Sequence, residues 1–264
     1  MLERLTHSLH ILLGERRIVL VRRKRWLKVG TQVLADVSLD LGQTGDASLL
    51  GLLDQMLADI SPFGEPAYVA LADGHMRTWR VHTPPGASTW SDCEAAIAMR
   101  FKRVFDEAPD AWLMSPVQSL DTPFMASGVR RRLVSELDVM LRRRRLSLAS
   151  VKPEFALLWN HWYPALGAHT WFGICRRGSL SLGIVDGECL QALRSFELNG
   201  AEQEAAGWLA KVLALEADKM NLPQPKAFAV CGERHPAWSD GAGPIVCRWL
   251  GPQASALALL GIPS

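Results

Sequence analysis

Three strand-like segments, a helix and a short buried strand follow one another in that order twice along this 264-residue chain, and few architectures accommodate such a doubled pattern. In the first half, Leu9 to Leu13 and Arg16 to Val21 pair across a Gly14-Glu15 corner. A third strand runs from Leu27 to Leu41, in which Val33, Ala35, Val37, Leu39 and Leu41 alternate with wetter residues, the period of a sheet with one apolar face. "GQTGD" breaks this strand, and Asp46 is placed to cap a helix whose Leu49, Leu53, Met56, Leu57 and Ile60 form one stripe. "AYVALA", Ala67 to Ala72, is a short buried strand. The second half repeats the order. His169 to Cys175 and Ser179 to Val185 are strands, Asp186-Gly187 is a hairpin turn signal, and Glu188 to Leu198 is the third strand. A helix over Ala201 to Met220 follows, and "KAFAVC", Lys226 to Cys231, is again a short buried strand.

Between the two units lie a strand at "HMRTWRVHTPP" and a helix opened by a Ser91-x-x-Glu94 capping box that buries Ile97, Phe101, Val104 and Phe105. A strand at "DAWLMSPV" and a helix over Val129 to Arg145 complete the interval. Strand triplet, helix, strand, helix, strand, helix is the ribonuclease-H-like order. Two copies around a cleft make an α/β fold of mixed sheets flanked by helices, with subdomains expected at 1–150 and 151–264.

Composition narrows the function classes. A 48% hydrophobic chain of this length builds a sizeable core, and a net charge of +2 does not call for nucleic acid or membrane. Five scattered cysteines fit free thiols. Ten tryptophans against two tyrosines would matter if they formed a base-stacking platform, but Trp79, Trp112, Trp159, Trp171 and Trp208 sit in apolar segments without interleaved Lys or Arg, so they are read as core. The start shows no secretory signal, and no stretch approaches the ~20 apolar residues that cross a bilayer. A partner is expected to hold the chain at any membrane where it works.

Four stretches resemble one family, the actin-like cytoplasmic proteins of type IV pilus and type II secretion assembly platforms, PilM and the cytoplasmic part of GspL. "LLGERRIVLV" lies where the first phosphate hairpin of that fold stands. "VKPEFALLWNHW", Val151 to Trp162, resembles the hinge into the second half, and "GSLSLGIVDGECLQALRSFEL" the second phosphate hairpin. "ASALALLGIP" resembles the terminal helix, and so the natural end of the fold. The resemblance implies an actin-like fold and a cytoplasmic location, peripheral at the inner membrane. The partners it implies are the cytoplasmic tail of a bitopic inner-membrane assembly protein or a hexameric secretion or pilus ATPase, with no nucleic acid and no span of its own.

The departures bear on activity. An actin-like ATPase carries Asp-x-Gly at each phosphate hairpin, the Asp for magnesium and the Gly for close approach of backbone N–H groups to phosphate. Here the first site reads Leu12-Leu13-Gly14 followed by bulky Glu15, Arg16 and Arg17. Counting back from Asp186-Gly187, the second reads Gly173-Ile174-Cys175, and the adenosine-side Gly-Gly reduces to Cys231-Gly232 before Glu233 and Arg234. A leucine cannot coordinate magnesium, and Glu15 would repel a triphosphate. The expectation is therefore a scaffold, not an enzyme, with no catalytic residue, cofactor or metal. The rivals are an ATPase or sugar-kinase relative using Asp73, Asp186 and Glu15, and a nucleic-acid-binding ribonuclease-H-like protein, for which Asp36 and Asp40 are poor substitutes for clustered carboxylates. No P-loop or G-x-S-x-G elbow occurs. Cys231 and His235 with His161 and His169 could be drawn as a zinc site, but the Cys-x3-His pair lacks a second spaced pair. Of two basic runs, Arg142 to Arg145 suits a helix C-terminus. Arg22, Arg23, Lys24 and Arg25 are read as a membrane or partner contact.

Overall fold

The computed structural model describes residues 7–24, 30–39, 45–60, 64–82, 86, 89–116, 123–167, 169–176, 178–198, 207–225, 227–235, 238 and 245–251. The first unit consists of β1 (His7–Leu13), β2 (Arg17–Lys24), β3 (Gly30–Ser38), α1 (Asp46–Ala58) and β4 (Pro66–Leu71). An insertion follows: β5 (Met76–Val81), α2 (Trp90–Phe105), β6 (Trp112–Pro116) and β7 (Phe124–Arg130). The chain returns through α3 (Arg131–Arg143) to β8 (Ser147–Pro153) and crosses over on α4 (Glu154–Trp162). The second unit is β9 (Trp171–Arg176), β10 (Ser179–Asp186), β11 (Cys189–Glu197), α5 (Trp208–Met220), β12 (Ala227–Gly232) and β13 (Val246–Trp249).

The repeat read in the sequence is a repeat of topology. One sheet runs β3-β2-β1-β4-β8 and the other β11-β10-β9-β12-β13. In each, the three leading strands pair antiparallel and the last two add in parallel. Alternation sorts the first sheet's side chains. Leu9, Ile11, Leu13, Ile18 and Leu20 face α1 and α3, where Leu49, Leu53, Leu57, Leu133 and Leu137 complete a core. Leu12, Val19, Val21 and Ala70 take the opposite face, against Leu157 of α4. The second core gathers Phe155, Leu158 and Trp159 from α4 and Leu209, Leu213 and Ala217 from α5 about β9, β10 and β12. Gly173 and Gly183 make room there, since a Cβ on either would lie 2.4 Å from the Phe228 ring or 2.6 Å from the Phe155 ring. Trp79, Trp112, Trp159 and Trp171 are buried and Trp208 packs against the second core. Among the described residues no helix is long and apolar enough to cross a membrane.

Several local expectations give way. β7 is not among the expected strands: its Ala126, Ser127 and Gly128 are small and all buried, so its middle shows neither alternation nor bulky β-formers. It centres a separate antiparallel sheet, β5-β7-β6, closed by Trp79, Phe101, Trp112 and Phe124. α3 begins at Arg131 and ends at Arg143 rather than spanning 129–145. The capping box belongs to Thr89 and Asp92, two residues before the expected Ser91 and Glu94. Gly45, not Asp46, is the N-cap of α1, and Asp46 instead meets His75 Nδ1 at 3.2 Å. A bulge opposite Leu20 and Val21 breaks the alternation in β3, so Leu34 and Ala35 both pack on the core while Val33 is exposed. β8 pairs with β4 as far as Pro153, so the first sheet reaches past residue 150. Arg25, Asp40, Leu41 and the expected terminal helix lie outside the described residues.

The inserted sheet is tied to the second half by Met125 of β7, which joins the core of α4 and β9. Replacing Met125 with Ala is expected to destabilise the protein by about 2–5 kcal/mol in urea unfolding. Met99→Ala, on the exposed face of α2, is expected to stay within about 0.5 kcal/mol.

Candidate functional site

The C-terminal ends of β1, β4 and β8 in one sheet and of β9 and β12 in the other gather side chains from both halves around one cleft. On the first side, the corner after β1 is tight. Gly14 N donates to Arg17 O at 2.8 Å, and a Cβ on Gly14 would sit 2.8 Å from that same oxygen. The corner projects Glu15 toward the 3-10 turn Asp73–His75 that follows β4, where Gly74 N donates to Glu15 Oε1 at 3.1 Å. The backbone N–H that an anion would seek is thus taken by the chain's own carboxylate. Arg17 forks onto Asp36 through Nε at 2.7 Å and Nη2 at 2.6 Å, and its Nη1 lies 3.8 Å from Glu233, beyond β12.

The centre of the cleft is Arg176, the last residue of β9. Its Nη2 and Nε donate to Glu154 Oε2 at 2.6 and 3.1 Å, and its Nη1 donates to Ser181 Oγ at 2.8 Å. Ser181, on β10, in turn donates to Asp73 Oδ2 from the first half. One guanidinium therefore links the crossover helix, the second sheet and the loop after β4. Glu154 is fully buried, and the Arg176 side chain is 13% exposed. Glu154 Oε1 and Asp73 Oδ1 are sealed from solvent with no hydrogen-bond partner.

Two buried acids thus share one base. Burial pushes the carboxyls of both Asp73 and Glu154 above the usual range; Arg176 offsets part of this, and the charge of Glu15 adds to it. Burial works against the charge of Arg176, but Glu154, Asp73 and Glu15 more than compensate and hold it protonated. Behind it, burial pushes the Cys175 thiol up to about 12 and the Cys231 thiol up as well, so neither serves as a thiolate at neutral pH.

Of the residues singled out in the sequence, Gly14, Glu15 and Asp73 meet in this cleft. Leu12 is buried beneath it in the sheet, facing α4. Gly173 and Cys175 lie within β9, paired with Leu182 and Leu180. Asp186 closes the opposite end of β10. Gly232 has φ +98°, and a Cβ there would lie 2.2 Å from Cys175 O, the oxygen that accepts from Glu233 N at 2.8 Å. The four zinc candidates are not brought together: His169 Nδ1 accepts from Gly187 N, His161 meets the Trp162 ring, His235 stacks on Trp238 and Cys231 is in the core. Among the described residues no group of His, Cys, Asp or Glu is arranged to hold a metal. Arg176, Glu154 and Ser181 went unread. The available signal was Glu154 at the first position of the otherwise apolar "EFALLW" helix, a charge that must be paired if buried.

An actin-like cleft implies a magnesium nucleotide, and these residues do not fit one. A triphosphate would find the Gly74 N–H held by Glu15, Arg176 held by Glu154 and Ser181, and Arg17 held by Asp36.

No protein family description and no curated protein matches the sequence. Solved structures do match the fold. The chain superposes on the PilM-PilN type IV pilus biogenesis complex with TM-score 0.63 at 14% identity, covering 97% of this chain and 90% of that one. The cytoplasmic domain of EpsL, an inner-membrane component of the type II secretion system of Vibrio cholerae, gives TM-score 0.60 at 14% identity over 96% and 92%. A Bacteroides thetaiotaomicron protein with an actin-like ATPase fold and unknown function gives 0.61 at 11% over 89% and 85%. The fold is actin-like, as the doubled strand order implies.

The excess acid has a sign that can be measured. A carboxyl whose native pKa is raised contributes stability that is present below its unfolded value, about 4, and is lost as pH rises through the native value. Unfolding free energy is expected to fall from pH 5 toward neutrality. Asp73→Asn keeps an acceptor for Ser181, removes the charge, and is expected to raise stability at pH 7 and flatten that slope. Urea titrations across this pH range check both.

Proposed function

We propose that the protein is a non-catalytic actin-like scaffold of a type IV pilus or type II secretion assembly platform. It sits at the cytoplasmic face of the inner membrane and binds the cytoplasmic tail of a membrane partner. A hexameric assembly ATPase is a further partner consistent with such a platform. The two halves, divided at the crossover after Pro153, act as its two subdomains.

The observation that carries the non-catalytic part is Arg176. In a nucleotide-hydrolysing cleft the cations serve the substrate, whereas this arginine is consumed by Glu154 and, through Ser181, by Asp73. The backbone donor Gly74 N is capped by Glu15. The platform assignment is supported by likeness to the PilM-PilN complex and the EpsL cytoplasmic domain. A short tail is the natural ligand for a chain with long open sheet edges, since an extended peptide gains main-chain hydrogen bonds there. β3, at the rim of the first sheet, is such an edge.

Millimolar Mg-ATP is expected to leave the melting temperature unchanged. A ligand at a hundred times its Kd would add about 2.7 kcal/mol, a shift of roughly 5–10 °C for a domain of this size. A magnesium-dependent shift of that order would overturn the reading. In cell fractionation the protein is expected with membranes only when its partner is co-expressed.

A further inference from the structure

The two basic runs, far apart in sequence, converge on one end of the first sheet. β2 ends at Lys24, opposite His7 at the start of β1. β4 and β8 run parallel to β1 and start at this same end, at Pro66 and Ser147. α3 finishes at Arg143 and leads through Arg144 to Leu146 straight into Ser147. Arg22–Lys24 and Arg142–Arg145 therefore occupy one pole, spread over three strand spacings, about 14 Å. The cleft lies at the other pole, where β1, β4 and β8 end.

Ion pairing leaves a surplus here. Arg22 is held by Glu65 at 2.7 Å, Arg144 by Asp54 at 2.8 Å and Arg142 by Asp138 at 2.9 Å. Arg143 lies in the field of Asp54, which Arg144 already pairs, and has no ion pair of its own among the described residues. Arg23, Lys24 and Arg145 have no ion pair among the described residues, and Asp59 is the remaining acid of this end. The helix dipole accounts for Arg142 and Arg143 but not for Arg145, which lies beyond the helix with φ +60°. It occupies the left-handed position of a Schellman motif, with Arg145 N on Arg142 O and Leu146 N on Leu141 O. Glycine is favoured at that position, so a long cation stands where the backbone disfavours any side chain.

We propose that this pole rests on an anionic lipid surface, with Arg23, Lys24, Arg143 and Arg145 as the contacting side chains and the cleft turned away from the bilayer. The choice of lipid over nucleic acid rests on the inner-membrane reading above. It is also favoured because, among the described residues, no large aromatic ring is exposed at this end to stack a base. Each basic residue near such a surface adds a small attraction that salt screens, so the contact orients the protein beneath its partner rather than anchoring it alone.

The test is co-sedimentation of the purified full chain with phosphatidylcholine vesicles, with and without phosphatidylglycerol, at about 0.01 M and about 0.15 M salt. Binding is expected only with phosphatidylglycerol and several-fold weaker at the higher salt. Changing Arg23, Lys24, Arg143 and Arg145 together to Ser should weaken low-salt binding at least tenfold. An equal charge removal elsewhere, at Arg100, Lys102, Arg103 and Lys211, should leave it within twofold. Absent binding at low salt, equal loss in both variants, or tighter retention on duplex DNA than on vesicles would each overturn the proposal. None of these outcomes bears on the Mg-ATP result, so the scaffold reading is judged separately. The salt dependence of the unaltered protein needs no variant to fold.

Discussion

A guanidinium removed from water among acids from two halves of the chain is the constraint on which the relation of the two sheets depends. Taking an ion such as Arg176 out of solvent carries a penalty of several kcal/mol unless charge and hydrogen bonds replace the water. Glu154 supplies the charge, and Ser181 supplies an acceptor that is itself committed to Asp73. These residues come from the crossover helix, the second sheet and the loop after β4, so satisfying one side chain fixes three elements from both halves. A rigid-body opening of the cleft would strand at least one buried charge. Domain closure around a ligand, the usual mode of a two-lobed cleft, is opposed by the same contact.

The scaffold that presents Arg176 was largely legible. Strand order, the short apolar runs of β1 and β2, the apolar stripe of α1 and the short buried β4 and β12 follow from period and from turn residues, which act locally. β7 escaped because its small residues pack against Trp79 and Met114 rather than alternating. Gly128, whose Cβ would lie 3.3 Å from both, shows how little side chain the site tolerates. The bulge in β3 escaped because nothing in the strand's composition marks it.

The site was legible only in part, and for a different reason. Glu15 could be recognised as hostile to phosphate from its place in the hairpin, and it does occupy the Gly74 N–H. The pairings of Arg176 with Glu154 and of Ser181 with Asp73 join positions distant in sequence, and a lone arginine after an apolar strand looks like an ordinary solvated end. Such pairs become visible only when both sheets are assembled. Gly232 carries a related lesson: a glycine assigned to nucleotide approach is required by the backbone itself, at Cys175 O.

On the proposed scaffold reading, the actin-like fold keeps its two-lobed frame while the charges of its cleft are engaged in internal contacts, and partners meet its edges and poles. The most direct measurement of that claim is a double-mutant cycle on Arg176 and Glu154, using Arg176→Met, Glu154→Gln and the pair, read by equilibrium unfolding at pH 7. A buried bolt requires Arg176→Met, which strands Glu154 without its cation, to cost about 3–5 kcal/mol, and the cycle to show a coupling of about 2 kcal/mol or more. A coupling below about 0.5 kcal/mol would mean that the cleft is not held by this pair and stands open to a ligand.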